Sequence, residues 1–338
     1  MRTERRMRWL LGVLVTIVVG TGVGFSVAQT STSRIAAPDS IGEIAQGVPS
    51  SQTADGVAHI VDPSLLVDAG PERDGIPPID APQFESVESA DAWLQDEDWV
   101  LVAEYAGIQR AYPLQILVWH EIVNDVIAGE PVLVTYCPLC ASSAVYHRTL
   151  DGQTLGFGTS GKLYNSNLVM YDRATETYWS QLEGLALVGA LAGQQLVRMT
   201  SDTVRWGDWK ASMPEAEVLS RNTGFDRDYA ENPYAEYLED SAVCFPLSDR
   251  SNCIPPKTLV LGVQLENAYI AIEEDTLIAR GSVELRIEGQ RILFSRLRSG
   301  AVRVANLGTG EPLTAVRAFW FAWYAFHPET QLSDGSSS

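Results

Sequence analysis

A Cys-Pro-Leu-Cys motif, Cys137 to Cys140, ends the apolar run Val132-Leu133-Val134-Thr135-Tyr136. Two thiols at this spacing can grip one soft metal ion, cycle between dithiol and disulfide, or serve as buried structure. Further soft donors stand in the neighbouring sequence: His120, His147 and Met170. Sulfur with imidazole favours copper or zinc over hard cations, and copper ranks first here. A depressed thiol pKa needs a helix N-terminus or a nearby cation. Ala141 to Leu150, however, reads as strand, and no βαβ pattern surrounds the motif. Metal binding, thiol redox chemistry and a structural role all stay open from these residues.

His120 and Glu121, with Asn124-Asp125 close behind, bring an imidazole and two carboxylates to the same stretch. A histidine with a carboxylate can serve as base and orienter, so His120, Glu121 and Asp125 are the catalytic candidates. The second histidine of a metalloprotease helix is missing. Gly158-Thr159-Ser160-Gly161-Lys162 has neither the spacer nor the following Ser/Thr of a phosphate loop. It reads instead as a tight loop that lines the site, so Tyr136, Ser160, Lys162, Tyr171, Asp172 and Arg173 are expected around a pocket. Cys244 and Cys253 enclose eight residues and read as a disulfide.

The elements that must position these groups are mostly strands. A short helix is expected at Ala90 to Leu94, then a strand from Trp99 to Tyr105. Pro113 starts a helix carrying Leu114, Leu117, Val118 and Glu121. Ile122 to Ile127 and Val132 to Tyr136 alternate as strands around Ala128-Gly129-Glu130. Ala144 to Leu150 and Thr154 to Thr159 flank the hairpin signal Asp151-Gly152. Leu168 to Tyr171, Thr177 to Ser180 and Leu185 to Val188 continue the pattern.

An internal repeat sets the domain plan. Trp206-x-x-Trp209-x-Ala-x-x-Pro214-Glu215 matches Trp320-x-x-Trp323-x-Ala-x-x-Pro328-Glu329 without a gap. Upstream, Leu101 to Tyr112 resembles Leu259 to Tyr269. Tyr112 to Trp206 spans 94 positions and Tyr269 to Trp320 spans 51, so the first copy is longer by 43. The expected fold is β-dominated α+β: two related, mutually packed, mostly antiparallel modules with a few short helices. Module one covers 98–220 and module two 257–330, with connecting loops over 221–256 and the whole domain over 87–330. The repeated tryptophans read as core. Residues 29–86 read as linker and irregular wrap, and 331–338 as a disordered tail.

YPLQILVWHEIVND, VTYCPLC, FGTSGKLYNSNLVMYDR and WSQLEG, in that order, resemble the signature of the bacterial and archaeal family called domain of unknown function 3179. The resemblance runs from about Trp99 to Pro328-Glu329-Thr330. It implies a shared fold and brings no activity, substrate or cofactor.

Arg2, Arg5, Arg6 and Arg8 precede an apolar run from Trp9 to Val19, and Ser26-Val27-Ala28 offers a cleavage site. Residues 1–28 therefore read as a signal peptide, with an uncleaved membrane anchor as the rival, and the body as extracytoplasmic. The formal charge of −19 becomes −22 when four arginines and Glu4 leave with that segment. Such an acidic chain, with only Lys162, Lys210 and Lys257 as lysines, excludes nucleic acid as a partner. Membrane contact is expected only through the N-terminal segment. A thiol-reducing or metal-delivery partner fits the CxxC motif.

Overall fold

The computed structural model describes residues 51–335 apart from Asp55, Glu266 and Asn267. The expected signal or anchor over 1–28, the linker residues up to 50 and the last three residues of the tail lie outside the described residues. Among the described residues no helix is long and apolar enough to cross a membrane.

Among the described residues, alternating apolar residues bounded by tight turns produce strands almost throughout, in several mostly antiparallel sheets with six short helices. The two-residue turns are of one kind. Ala128-Gly129, Asp151-Gly152 and Glu288-Gly289 all place both residues at positive φ, between 47° and 86°. That geometry matches the twist of the hairpins they join.

Two sheets share one topology. In the first, strands run in the order 201–205, 99–105, 108–113 and 217–219, with 84–86 added at the edge. In the second the order is 316–319, 259–265, 268–273 and 331–333. Each has two antiparallel pairings followed by a parallel one. Each also continues through a helix, Leu114–His120 or Glu274–Arg280, into a second antiparallel sheet. The first residues of matching elements, Trp99 and Leu259, Ile108 and Ala268, Leu114 and Glu274, Ile122 and Ser282, Glu130 and Gln290, Ser142 and Val302, all differ by 160. The closing helices Trp206–Lys210 and Trp320–Phe326 differ by 114 at their starts.

The first module is therefore longer by 46 rather than 43, and the true partner of Leu101 is Leu261, not Leu259. The misalignment is two residues at Leu101 and three at Tyr112, whose true partner is Ile272 rather than Tyr269. The extra length lies between His147 and Ser201. It builds the strands 157–164, 167–172, 178–180 and 186–188 of a seven-stranded sheet.

Trp206, Trp209, Trp320 and Trp323 are buried as core, as expected. Gly262 shows why that core is tight: a Cβ there would stand 2.3 Å from the Trp323 indole. Two segments differ from the expectation of irregular chain. Residues 67–68 pair with the strand 157–164, and the tail residues Gln331–Ser333 form a parallel edge strand rather than fraying. Arg280 reaches the Gly335 carbonyl and ties that end down. In the connecting region, Ala235–Glu239 forms a short helix.

Candidate functional site

Cys137 is the last residue of the strand Glu130–Cys137, and Pro138–Cys140 is a single 3-10 turn. Ala141 then takes φ 48°, which sends the chain back as the strand Ser142–His147. Both thiols are buried, and neither is in a disulfide. The Cys137 sulfur is close enough to act on the Cys140 thiol. Burial, reinforced by the adjacent Cys137 sulfur, pushes the Cys140 thiol well above its ordinary pKa.

A second turn holds the pair from outside. Asn165 and Ser166 link the strands Phe157–Tyr164 and Asn167–Asp172, both at positive φ although neither is glycine. The Cys140 thiol donates to the Ser166 carbonyl at 3.2 Å, and Asn167 Nδ2 approaches the Cys140 sulfur at 3.5 Å. Asn167 also donates to Gln181 Oε1 at 2.9 Å and accepts from the Leu182 amide at 3.0 Å. Ser142 Oγ donates to the same Gln181 oxygen at 2.9 Å. Asn167→Leu strands several of these buried groups, so we expect a loss of about 2–3 kcal/mol in urea unfolding. A loss below about 0.5 kcal/mol would show that the network is not what holds the turn.

Glu121 is the third component. It follows the helix Leu114–His120 in the left-handed conformation, φ 56°. Its counterpart in the second module is Gly281 at φ 72°, the residue type that this backbone position favours. The first module thus carries a side chain where the fold prefers none. The Glu121 carbonyl accepts from the Tyr136 amide at 2.8 Å, which sets the residue across from the strand end that carries Cys137. Burial raises the Glu121 carboxyl to about 7, against a hydrogen bond from Tyr234 that lowers it. That bond, from the Tyr234 hydroxyl, is 2.9 Å long.

The connecting region 221–256 closes over these groups. Tyr234 reaches Glu121, and the Tyr237 hydroxyl donates to the Leu139 carbonyl inside the CxxC turn at 2.9 Å. Lys257 binds the carbonyls of Tyr237 and Asp240 and stands 3.4 Å over the Tyr237 ring. Val243 and Leu247 pack against the apolar cluster that contains both cysteines. Burial raises the hydroxyls of Tyr136, Tyr234 and Tyr237, and the charges of Glu121 and the thiols add to this.

The other expected ligands do not complete a metal shell. His120 directs Nδ1 at the Pro77 carbonyl, 2.7 Å away, and Nε2 at the Tyr229 hydroxyl, 2.8 Å away. A carbonyl only accepts, so Nδ1 carries the proton and Nε2 accepts from Tyr229. Burial lowers the His120 pKa and keeps the ring neutral. His147 pairs with Glu130 at 2.9 Å, at the far end of the hairpin. Cys137 lies opposite Ser142 and Val132 opposite His147, so five residues, roughly 17 Å, separate them along the strand. Met170 shares the cysteines' apolar cluster as core. Among the described residues no group of three His, Cys, Asp or Glu side chains is arranged to hold a metal ion.

Asp125 is also separate from Glu121. It is ion-paired to Arg110 at 2.7 Å and accepts from the Tyr112 hydroxyl at 2.6 Å, a buried architectural network. Of the three catalytic candidates only Glu121 joins the thiols.

The expected pocket-lining residues divide in the same way. Tyr136 stays with the CxxC turn, Lys162, Tyr171 and Arg173 receive the segment 67–80, and Ser160 and Asp172 are engaged within their own sheet. Lys162 pairs with Asp68, the Tyr171 hydroxyl donates to Asp74, and Arg173 binds Asp80. Ser160 donates to the Val169 carbonyl within the sheet, and Asp172 caps the turn at Ala174 and Thr175 and accepts from Trp179. Gly161 is required here because a Cβ would stand 2.1 Å from the Pro71 carbonyl oxygen. Gly161→Ala should undock residues 67–80 and expose them to limited proteolysis. An unchanged digestion pattern would contradict that reading. A cleft of about 440 Å³ opens elsewhere, between residues 200–202 and the 297–304 segment, and none of these residues lines it.

The expected Cys244–Cys253 disulfide is not formed; both are exposed free thiols. The intervening chain is drawn out over the site rather than closed into a small loop. Ser248 is held by Asn165 through its amide and hydroxyl, both at 2.8 Å. Cys253 instead folds back on the Ser251 hydroxyl.

The model of the family described as "Protein of unknown function (DUF3179)" matches residues 73–306. The match starts inside the docked 67–80 segment, upstream of the Trp99 expected from the signature, and stops short of the second tryptophan helix. No curated protein and no solved structure matches the chain.

Proposed function

Because the chain belongs to the DUF3179 family of proteins of unknown function, a name without chemistry, we propose its activity from the site: thiol–disulfide exchange by Cys137 and Cys140. One observation carries the reading. Two unbonded thiols lie within reach of each other, in an apolar cluster beside a buried carboxyl raised to about 7.

The parts fit a two-electron exchange. Cys140, whose pKa is raised, is the proton-bearing member of the pair. The Cys137 sulfur attacks a partner disulfide, forms a mixed disulfide and releases one partner thiolate. Cys140 then gives its proton to the Glu121 carboxylate and displaces the second partner sulfur. The pair ends as a disulfide, and the partner as two thiols once the protons follow. Glu121 lies within electrostatic reach of Cys140 and changes charge in the neutral range.

The soft-metal reading keeps only two sulfur donors, since His120 and His147 are engaged elsewhere. The leader-like residues 1–28 support an extracytoplasmic setting, where a thiol-reducing partner would regenerate the pair. Electron transfer from the reduced protein to insulin disulfides, followed by turbidity, tests the activity. We expect stoichiometric reduction by the wild type and none by the double variant Cys137→Ser/Cys140→Ser. Equal reduction by both would overturn the proposal.

A further inference from the structure

Both thiols are shielded from solvent, Cys137 1 % and Cys140 0 % exposed, so a partner disulfide reaches Cys137 only when the covering segment yields or another thiol delivers it. A third thiol stands on the segment that covers them. Cys244 is exposed, and its neighbour Val243 packs into the apolar cluster of Cys137 and Cys140. Tyr237 links the two places. Its hydroxyl donates to the Leu139 carbonyl inside the motif, and that hydroxyl, raised chiefly by burial, lies within electrostatic reach of Cys140, Cys137 and Cys244. Lys257, which fixes the Tyr237 and Asp240 carbonyls, also lies within electrostatic reach of Cys244. The covering segment thus joins a solvent-facing thiol to a buried dithiol through one short helix, Ala235–Glu239, and the turn after it.

We infer that Cys244 is the access thiol of this protein, which relays disulfide exchange between solvent and the buried Cys137–Cys140 pair. The inference rests on the redox reading above and names the residue by which a substrate disulfide reaches that site. The Cys244 thiolate attacks an external disulfide, forms a mixed disulfide and expels one external thiolate. Cys137 attacks the Cys244 sulfur, which gives a Cys137–Cys244 disulfide and expels the second external thiolate. Cys140 attacks the Cys137 sulfur, closes Cys137–Cys140 and frees Cys244 as thiolate. Net, one external disulfide becomes two thiols with the two protons lost by Cys137 and Cys140, and Cys244 is returned unchanged. The exposed partner that fits is a small disulfide or a flexible peptide disulfide, because only the Cys244 sulfur needs to be reached.

The test uses the full chain carrying Cys253→Ser, which removes a competing Cys244–Cys253 bond. The reduced protein is mixed with oxidised glutathione, quenched with acid and alkylated, and its peptides are mapped by mass spectrometry over time. In this background the Cys137–Cys140 disulfide should form, and adding Cys244→Ser should slow it at least about tenfold without changing the final oxidised fraction. Adding Cys140→Ser instead should trap a Cys137–Cys244 disulfide. Formation of Cys137–Cys140 at the same rate with and without Cys244 would overturn the relay and leave the redox reading standing. Glutathione remaining on Cys244, with no Cys137–Cys140 bond even after prolonged exposure, would overturn both.

Discussion

Glu121→Gln should stabilise the protein by about 3 kcal/mol at pH 8 and by almost nothing near pH 4.5. The folded protein keeps the Glu121 proton up to about 7, whereas the unfolded chain releases it near 4.5. Between those values the native state binds more protons, so wild-type stability falls as pH rises through the window. The penalty is complete above pH 7. Glutamine keeps an acceptor for Tyr234 and never ionises, so it escapes the penalty. Urea unfolding of both proteins at the two pH values measures the difference. An equal effect at both would mean that the carboxyl is not the buried, raised group described here. A stabilising substitution at a strained position is also what a functional residue predicts, since Gly281 fills the same position in the second module.

Arg317→Met should cost about 3–5 kcal/mol. The Arg317 guanidinium binds both oxygens of Glu274 at 2.9 Å, and its charged group stacks 4.3 Å over the Trp99 ring of the first module. Both partners of the ion pair are nearly shielded from water, with side chains 7 % and 11 % exposed. Removing the arginine leaves a buried carboxylate without its counterion, at the contact between the modules. The double variant Arg317→Met/Glu274→Leu removes both charges and should recover most of the loss. A single-variant loss below about 1 kcal/mol would place the pair among ordinary surface contacts.

Much of the fold could be read from short-range chemistry. Asp151-Gly152 marked its hairpin because only such a pair accepts two positive φ values cheaply. The duplicated Trp-x-x-Trp helices marked the repeat because both copies bury the same large rings. The Cys137–Cys140 motif stands out in the sequence as the centre of the candidate site. Its partners were harder to see. Asn167, Ser142 and Gln181 lie far apart in sequence and converge only through sheet registry. Asn165-Ser166-Asn167 is a turn signal by its residue types, but nothing local says that this turn meets Cys140. The loop-rich 221–256 region hid Tyr234 and Tyr237 because their role depends on what the segment covers, not on its own periodicity. The repeat offered one usable clue to Glu121. Once the 160-residue offset is known, a glutamate stands where the other module has glycine. The same logic explains the GTSGK stretch. A glycine that looked suited to a ligand is there because the backbone of residues 67–80 passes too close for a side chain.

The most direct test of the central claim is a redox titration of the full chain. The protein is equilibrated in graded mixtures of reduced and oxidised dithiothreitol, then trapped by acid and differential alkylation, and the Cys137 and Cys140 peptides are quantified. The account predicts that the two thiols disappear together in a single two-electron transition, yielding a Cys137–Cys140 disulfide in a protein that remains folded. Glu121→Gln should shift that transition only above about pH 7, where the wild-type carboxyl is charged. Thiols that stay reduced across the whole series, or oxidise only after urea unfolds the chain, would contradict the account and leave the pair as part of the core.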